Sequence, residues 1–420
     1  MTLRPVEDHL AAILATVSPT PTVDLALRDA LGATLAEPVR SAVDLPGFTN
    51  SAMDGYAVRA ADCAGASTSS PVRLPVVGDI QAGDTSPRTL EPGACWRIMT
   101  GAPMPEGADA VVPVEDSDGG TETVALTAAP DLHRHVRFRG EDVAAGAQVL
   151  AAGAVLTPGR LALVAAANVA TVRANTPPRV AIISTGDELR EPGSELAHGQ
   201  IVDSNSLMLE ALVRASGVEP VRLPRSRDDV DSLTRALTEA AAAADLVLTT
   251  GGVSMGAYDT VKEVLSRSGT VEFAKVAMRP GMPQGHGVIG PRATPIITLP
   301  GNPLSAMVSF HVFVLPAIAA LQGRPVDAAN WRAPAVPGRA AVAWPSVPDK
   351  VEFTRVTLRR GIATPSGGQG SHMVGALADA NAIAIIPADV TQVQEGDVVQ
   401  CLRLVGTIPA NNAAGEVSML

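Results

Sequence analysis

From about residue 179 to residue 324 short apolar runs alternate with longer amphipathic ones, and this alternation limits the fold more than any other feature. Residues 180–184, 218–223, 246–249 and 295–299 read as strands; residues 206–215, 228–244, 260–268 and 304–321 read as helices between or after them. Repeated β-α alternation requires crossover connections, which give a mainly parallel, doubly wound sheet with helices on both faces. Ligands of such a sheet sit beyond the carboxyl ends of its strands. Three of the expected strands end there in glycine turns: STGDEL (184–189), TTGGVSMG (249–256) and LPGNP (299–303). Backbone N–H groups at such turns, with a helix N-terminus behind them, attract oxyanions, and glycine lets the ligand come close. One such turn is also an ordinary strand-to-helix connection. Three on one edge open toward one crevice.

The second turn nearly spells a phosphate-binding loop. Gly251 and Gly256 keep its spacing, but Ala257 and Tyr258 stand where a lysine and a hydroxyl residue belong, and Asp259 follows. Carboxylates accompany all of these turns: Asp187 and Glu188 in the first, Asp203 in VDSN, Asp228 and Asp229 before a helix, Asp259 after the second. Asp228 also suits a helix N-cap, and Thr260 with Glu263 suits a capping box that leaves Asp259 a flanking residue. Taken together, acidic groups beside a phosphate cradle point to Mg²⁺, a hard cation that bridges carboxylates and phosphates.

The rest of the chain is organised differently. Residues 1–45 carry an early helical pattern (Leu10, Ile13, Leu14, Val17), with a second helix expected near residues 25–35. Residues 46–145 hold short β-like runs (72–77, 96–99, 110–114) between Pro and Gly clusters. A Pro-rich stretch, 334–348, reads as a linker or edge, followed by β-like runs at 351–358, 382–386 and 398–404. A second acidic cluster lies upstream: Asp54 in FTNSAMDGYAVR, Thr100 in MTGAPMPEGADAVVPVED, and Asp142 in VRFRGEDV, which are also consistent with surface turns.

A length of 420 residues allows two to four domains. The formal charge of −11 leaves no basic surplus to neutralise nucleic-acid phosphates. Lysine occurs only at Lys262, Lys275 and Lys350. Cys63, Cys95 and Cys401 are scattered and odd in number, which disfavours a disulfide framework or zinc site and suits a reducing cytoplasm. Glu7 and Asp8 precede any apolar run, unlike a signal peptide, and the apolar stretch 306–321 contains His311 and Pro316 and reads as a buried helix rather than a membrane span.

These motifs, with RGEDV (139–143), DSN (203–205) and GSHM (370–373), occur in the order found in molybdopterin molybdenumtransferases, and the chain resembles the MoeA/gephyrin E-domain family over roughly residues 1–405. The resemblance implies an α/β multidomain protein: a partly helical discontinuous domain (1–45 and 146–178), a β-rich domain (46–145), the doubly wound α/β domain (179–328) and a small C-terminal β-barrel (329–405). It implies insertion of molybdate into adenylylated molybdopterin with release of AMP, assisted by Mg²⁺ or another divalent cation. The metal's thiolate ligands then come from the pterin, so no cysteine cluster is needed.

By matching motifs, Asp187, Glu188, Asp228 and Asp259 would surround nucleotide, phosphate and metal, with Glu188 and Asp259 as metal ligands. Gly251, Gly252 and Ser254 would form the cradle, and Pro300 and Asn302 of LPGNP would line the substrate site. Asp54, Thr100 and Asp142 would complete the catalytic site from the partner subunit of a homodimer. Lys275, Arg279, Arg355 and Ser371 are the remaining candidates for substrate binding. The implied partners are small-molecule substrates and, transiently, the molybdopterin-adenylylating protein, with no nucleic acid and no membrane. One departure is clear: where family members carry the lysines of a K-P-G-K-P segment, this chain has Arg279 and Met282. Arg279 keeps charge with a bidentate fork, whereas Met282 cannot bind an anion. Adenylyl transfer to molybdopterin, which uses a related α/β module, and a scaffold that has lost turnover are the alternative functions.

Overall fold

The computed structural model describes residues 3–226, 229–252 and 260–406. The chain divides into two compact units, one built from Met1–Val23, Gly32–Ala36 and Ala174–Leu420, the other from Asp24–Leu31 and Glu37–Arg173.

The larger unit contains the expected α/β sheet. Its six strands run in the order Glu219–Arg222, Arg179–Ser184, Leu246–Thr250, Thr294–Leu299, Pro283–Ile289, Val271–Lys275. The first four are parallel; Pro283–Ile289 runs antiparallel to both of its neighbours, so Val271–Lys275 points the same way as the first four. Alternate residues of one strand serve opposite faces. Val180 and Ile182 join a core with Leu209 and Val213 of the Asn205–Ala215 helix. Ala181 and Ile183 join another with Leu233 and Leu237 of the Val230–Ala243 helix. Burial on both faces explains why these strands read as unbroken apolar runs.

The sheet then hands over to a barrel. Strands Val336–Ala340, Val351–Arg359, Ile362–Pro365, Ala382–Ile386 and Val398–Arg403 pair in a closed ring. Residues 334–348 are therefore no linker: they supply the first barrel strand and a short strand, Trp344–Pro345, paired to Gln392–Val393. Ala382, Ala384 and Ile386 point into the barrel, while Ile383 and Ile385 enter the same core as Val180, Leu304 and Phe313. Sheet and barrel thus share one hydrophobic interior. The helical stretch Pro303–Leu321, 19 residues long, satisfies the length and apolarity of a membrane span but is mostly buried in that interior.

In the second unit a five-stranded sheet runs in the order Ala110–Pro113, Gly55–Val58, Cys95–Ile98, Val72–Ile80, Thr123–Leu126. The helix expected near residues 25–35 does not form. Thr22–Ala26 is a strand and only Leu27–Asp29 makes a short 3₁₀ turn. All three cysteines are unpaired and buried, and burial pushes the Cys95 thiol up to about 12.

One buried cluster makes stability depend on pH. His9, on the Val6–Leu14 helix, meets the rings of His286 and Phe313 edge-on at 4.9 Å, and neither of its ring nitrogens has a hydrogen-bond partner among the described residues. Burial, then His286 and Arg4 nearby, push it down from 6.5 to about 3. Glu272, ion-paired with Arg4, is the neighbouring carboxylate. His311 is pushed down to about 4 by burial, against a hydrogen bond to the Met307 carbonyl. Both rings are neutral when folded, whereas the unfolded chain takes up protons below its ordinary histidine value. Their contribution is therefore present above pH 6.5 and falls as pH drops from there through about 4, by about 1.4 kcal/mol per pH unit for each ring. Urea unfolding followed from pH 7.5 to pH 4.5 should show this decline, and His9→Gln should flatten it.

Candidate functional site

Three strands that end level build the site. Ser184 pairs with Thr250 and Thr250 with Leu299, so the three glycine turns leave the same carboxyl edge side by side. The turns pack backbone against backbone. A Cβ on Gly251, whose φ is +88°, would lie 2.9 Å from the Thr185 carbonyl oxygen, and one on Gly301 would lie 3.5 Å from Gly251 Cα. Only glycine fits the first of these positions without strain.

Asn205 ties the turns together. Its Nδ2 donates to Thr250 Oγ1 at 3.0 Å and to the Gly301 carbonyl at 2.7 Å. Asp203 is buried and already engaged: it accepts from Ser184 Oγ at 2.6 Å and from the Ser206 N–H at 3.0 Å. Four buried oxygens at this edge, Thr185 Oγ1, Thr249 Oγ1, Asn205 Oδ1 and Ser206 Oγ, have no hydrogen-bond partner among the described residues. Buried polar atoms are ordinarily satisfied, so such a group of orphans marks an edge completed by ligand or water.

Two cavities open along this edge. One, of about 320 Å³, is lined by Thr185, Glu188, Asn205, Gly251 and Gly301. The other, of about 470 Å³, lies between sheet and barrel and is lined by Arg279, Met282, Pro300, Ser305, Lys350 and Ser371. Both volumes fall within the ordinary range of small-molecule sites. Asn302 and His372 line both. Asn302 Nδ2 donates to Ser371 Oγ at 2.8 Å, and the Leu304 N–H donates to the Ser371 carbonyl at 3.2 Å, so the third glycine turn is fastened to the barrel loop.

The candidate residues distribute as follows. Glu188, Gly251 and Asn302 line the smaller cavity; Arg279, Pro300, Asn302 and Ser371 line the larger. Gly252 follows Gly251 at φ +73°. Asp187 is exposed in the first turn, its carbonyl accepting from Arg190. Lys275 ends its strand paired with Pro283 and lines neither cavity. Arg355 is fully buried: its guanidinium donates to the Met373 carbonyl at 2.7 Å and to the Gly368 and Gly370 carbonyls, so it braces the loop that carries Ser371. Asp228, Ser254 and Asp259 lie outside the described residues, and the side chain that caps the Val230–Ala243 helix is Asp229. Asn205, His372 and Lys350 were not singled out from sequence as site residues, although Asn205 stands in VDSN and His372 in GSHM.

In the second unit the antiparallel pairing Gly55↔Ile98 brings the turn that holds Asp54 within hydrogen-bond reach of Thr100, just beyond the strand. Asp54 Oδ1 accepts from the Thr100 N–H at 2.6 Å and from its Oγ1 at 2.8 Å, and these bonds hold the exposed carboxyl below its usual range. Asp142 is exposed in a turn, its N–H donating to the Leu45 carbonyl at 3.0 Å. No hydrogen bond joins it to Asp54 or Thr100 among the described residues.

A glycine cradle at the carboxyl edge of a mainly parallel sheet, beside a carboxylate and a cation-lined cavity, defines an α/β protein built for an anionic small molecule. Comparison with known proteins narrows the class. Residues 4–168 match the MoeA N-terminal region (domain I and II), residues 181–320 a probable molybdopterin binding domain, and residues 337–404 the MoeA C-terminal region (domain IV). Molybdopterin molybdenumtransferase 2 of Mycobacterium tuberculosis is 44% identical over 95% of this chain and 99% of its own. A molybdopterin molybdenumtransferase of Haemophilus influenzae is 36% identical over 91% and 93%. The crystal structure of the molybdopterin biosynthesis MoeA protein from Pyrococcus horikoshii OT3 superposes with a TM-score of 0.82 at 29% identity, covering 95% of this chain and 99% of that one. The chain belongs to the MoeA family.

Gly251→Ala tests the cradle directly. A side chain there must meet the Thr185 carbonyl at a φ that disfavours it, at a cost of about 1–3 kcal/mol. Calorimetric titration with AMP should show affinity reduced at least about tenfold, while AMP binding equal to wild type would place the cradle elsewhere.

Proposed function

We propose that this chain is a molybdenum insertase of molybdenum cofactor biosynthesis, a transferase that inserts molybdate-derived molybdenum into adenylylated molybdopterin and releases AMP. The observation that carries this reading is the pair of adjoining cavities, one with glycine turns and Glu188, the other with Arg279 and Lys350, joined at Asn302 and His372. Such an arrangement holds a nucleotidyl-phosphate and an inorganic oxyanion next to each other, and placing two reactants in one geometry is itself a large part of catalysis.

In this reading Gly251, Gly252 and Ser254 cradle the phosphates, with Asp187, Glu188 and Asp228 around them. Arg279, Pro300, Asn302 and Ser371 line the oxyanion side, with Lys275 and Arg355 supporting it from the strand end and from beneath the loop. Among the described residues no three carboxylate, histidine or cysteine side chains converge as a ready-made metal site. Glu188 is nonetheless an open carboxylate on the cavity wall, which fits Mg²⁺, a cation often held by one or two carboxylates plus substrate phosphates. Glu188 and Asp259 would hold it, and when bound it would neutralise charge at the pyrophosphate that breaks. The chain's own donors remain in place throughout and need no reorganisation as charge develops.

The same reading includes a cytoplasmic homodimer in which Asp54, Thr100 and Asp142 of one subunit complete the site of the other, transient contact with the molybdopterin-adenylylating protein, and the four-part division 1–45 with 146–178, 46–145, 179–328 and 329–405.

Purified protein given adenylylated molybdopterin, molybdate and Mg²⁺ should release AMP. Consumption of ATP with free molybdopterin would instead identify an adenylyltransferase, and neither reaction would identify a scaffold. Glu188→Gln should slow AMP release at least about tenfold, ~1.4 kcal/mol of barrier, with an unchanged melting temperature. Mixing inactive Asp54→Ala and Glu188→Ala proteins should restore part of the activity, because a mixed dimer retains one intact site; mixtures as inactive as their components would refute a shared site.

A further inference from the structure

The larger cavity has a charge pattern of its own. Pairing of Met278–Arg279 with the barrel strand Val351–Arg359 sets Arg279 beside Glu352. Residues two apart along a strand direction share a face, so Lys350, immediately before that strand, looks the same way as Glu352, into the cavity that all three line. Glu352 is 8% exposed and its Oε2 accepts from the Val347 N–H at 2.9 Å, which anchors the carboxylate to backbone. Two cations therefore face one tethered carboxylate. Neither the Arg279 nor the Lys350 side chain makes an ion pair or hydrogen bond with any described residue.

A surplus of positive charge in a cavity is notable on a chain of net charge −11. A doubly charged tetrahedral oxyanion calls for two positive neighbours. The sheet side offers Arg279, while Met282 on the same loop offers none, so the second must come from the barrel side. Lys350 is the residue there. The two are complementary: the arginine fork fixes two oxygens in a plane, whereas the ammonium, a point charge on a flexible stem, follows the remaining ones. Ser305, Asn302 and Ser371 provide neutral polar groups on the same wall.

We propose that Lys350 is an oxyanion-binding residue of this cavity, holding molybdate jointly with Arg279; this rests on the insertase reading and assigns to it a residue on the barrel. The reading with Lys350 engaged predicts a selective effect. In AMP-release assays on the full chain, Lys350→Ala should raise KM for molybdate at least about tenfold, with kcat and KM for adenylylated molybdopterin within about twofold of wild type. Lys350→Arg should recover most of the loss, since charge is retained. Binding of tungstate, measured calorimetrically without turnover, should weaken in parallel in Lys350→Ala. Wild-type KM and tungstate affinity in Lys350→Ala, alongside normal AMP release by the unaltered chain, would overturn the assignment of Lys350 alone. A rise in both KM values with a lowered melting temperature would also overturn it, by marking the residue as structural. Absence of AMP release from the unaltered chain would overturn the insertase reading and this assignment together.

Discussion

The level ending of three parallel strands is the constraint on which the site depends. Ser184, Thr250 and Leu299 stand in register, so the turns that follow emerge at one height and must share one narrow space. Glycine at 251 and 301 is the price of that crowding, and Asn205 converts the crowding into order by donating to two turns at once. Asp203 completes the scaffold by holding Ser184 and capping Ser206. None of these contacts needs a ligand, so this edge of the sheet, among the described residues, is held in place by the chain's own hydrogen bonds.

Charge is then sorted across the shared wall. Glu188 belongs to the smaller cavity, Arg279 and Lys350 with the single carboxylate Glu352 to the larger, and Asn302 and His372 stand between. The overall acidity of the chain says nothing of this, because a field in a concave site is set by the few groups nearest to it. Arg355 shows the reverse situation. It is a charged residue inside the barrel wall, and its two terminal nitrogens donate to carbonyls of the loop carrying Ser371.

Much of this was legible in the sequence, and the exceptions have physical reasons. The four parallel strands announced themselves because both their faces are buried, and their glycine turns marked the edge. The antiparallel strand Pro283–Ile289 escaped notice because Gly285 and Gly287 remove the side-chain pattern. A Cβ on Gly285 would collide with Phe273 and Thr298, and one on Gly287 with the Thr270 carbonyl. Residues 334–348 looked like a linker because prolines obscured a strand whose pairing partner, Val398–Arg403, lies some 60 residues away. The failed helix near residues 25–35 had suitable apolar spacing, but Thr22–Ala26 extended into a strand instead. Arg355 read as a ligand-facing cation because burial depends on the glycine-loop carbonyls that fold over it, and sequence spacing does not display those. Lys350 was passed over for the opposite reason: its relation to Arg279 comes from a strand pairing between segments about 70 residues apart.

The common interior of sheet and barrel carries a mechanical consequence. Domains joined by a small polar interface commonly swing on a hinge. Here Phe353, Ile383 and Ile385 of the barrel interlock with Leu304 and Phe313 beneath the sheet, and main-chain pairing at Met278↔Val351 bridges them. Opening that seam would expose close-packed apolar surface to water. The barrel is accordingly a fixed jamb and not a swinging door.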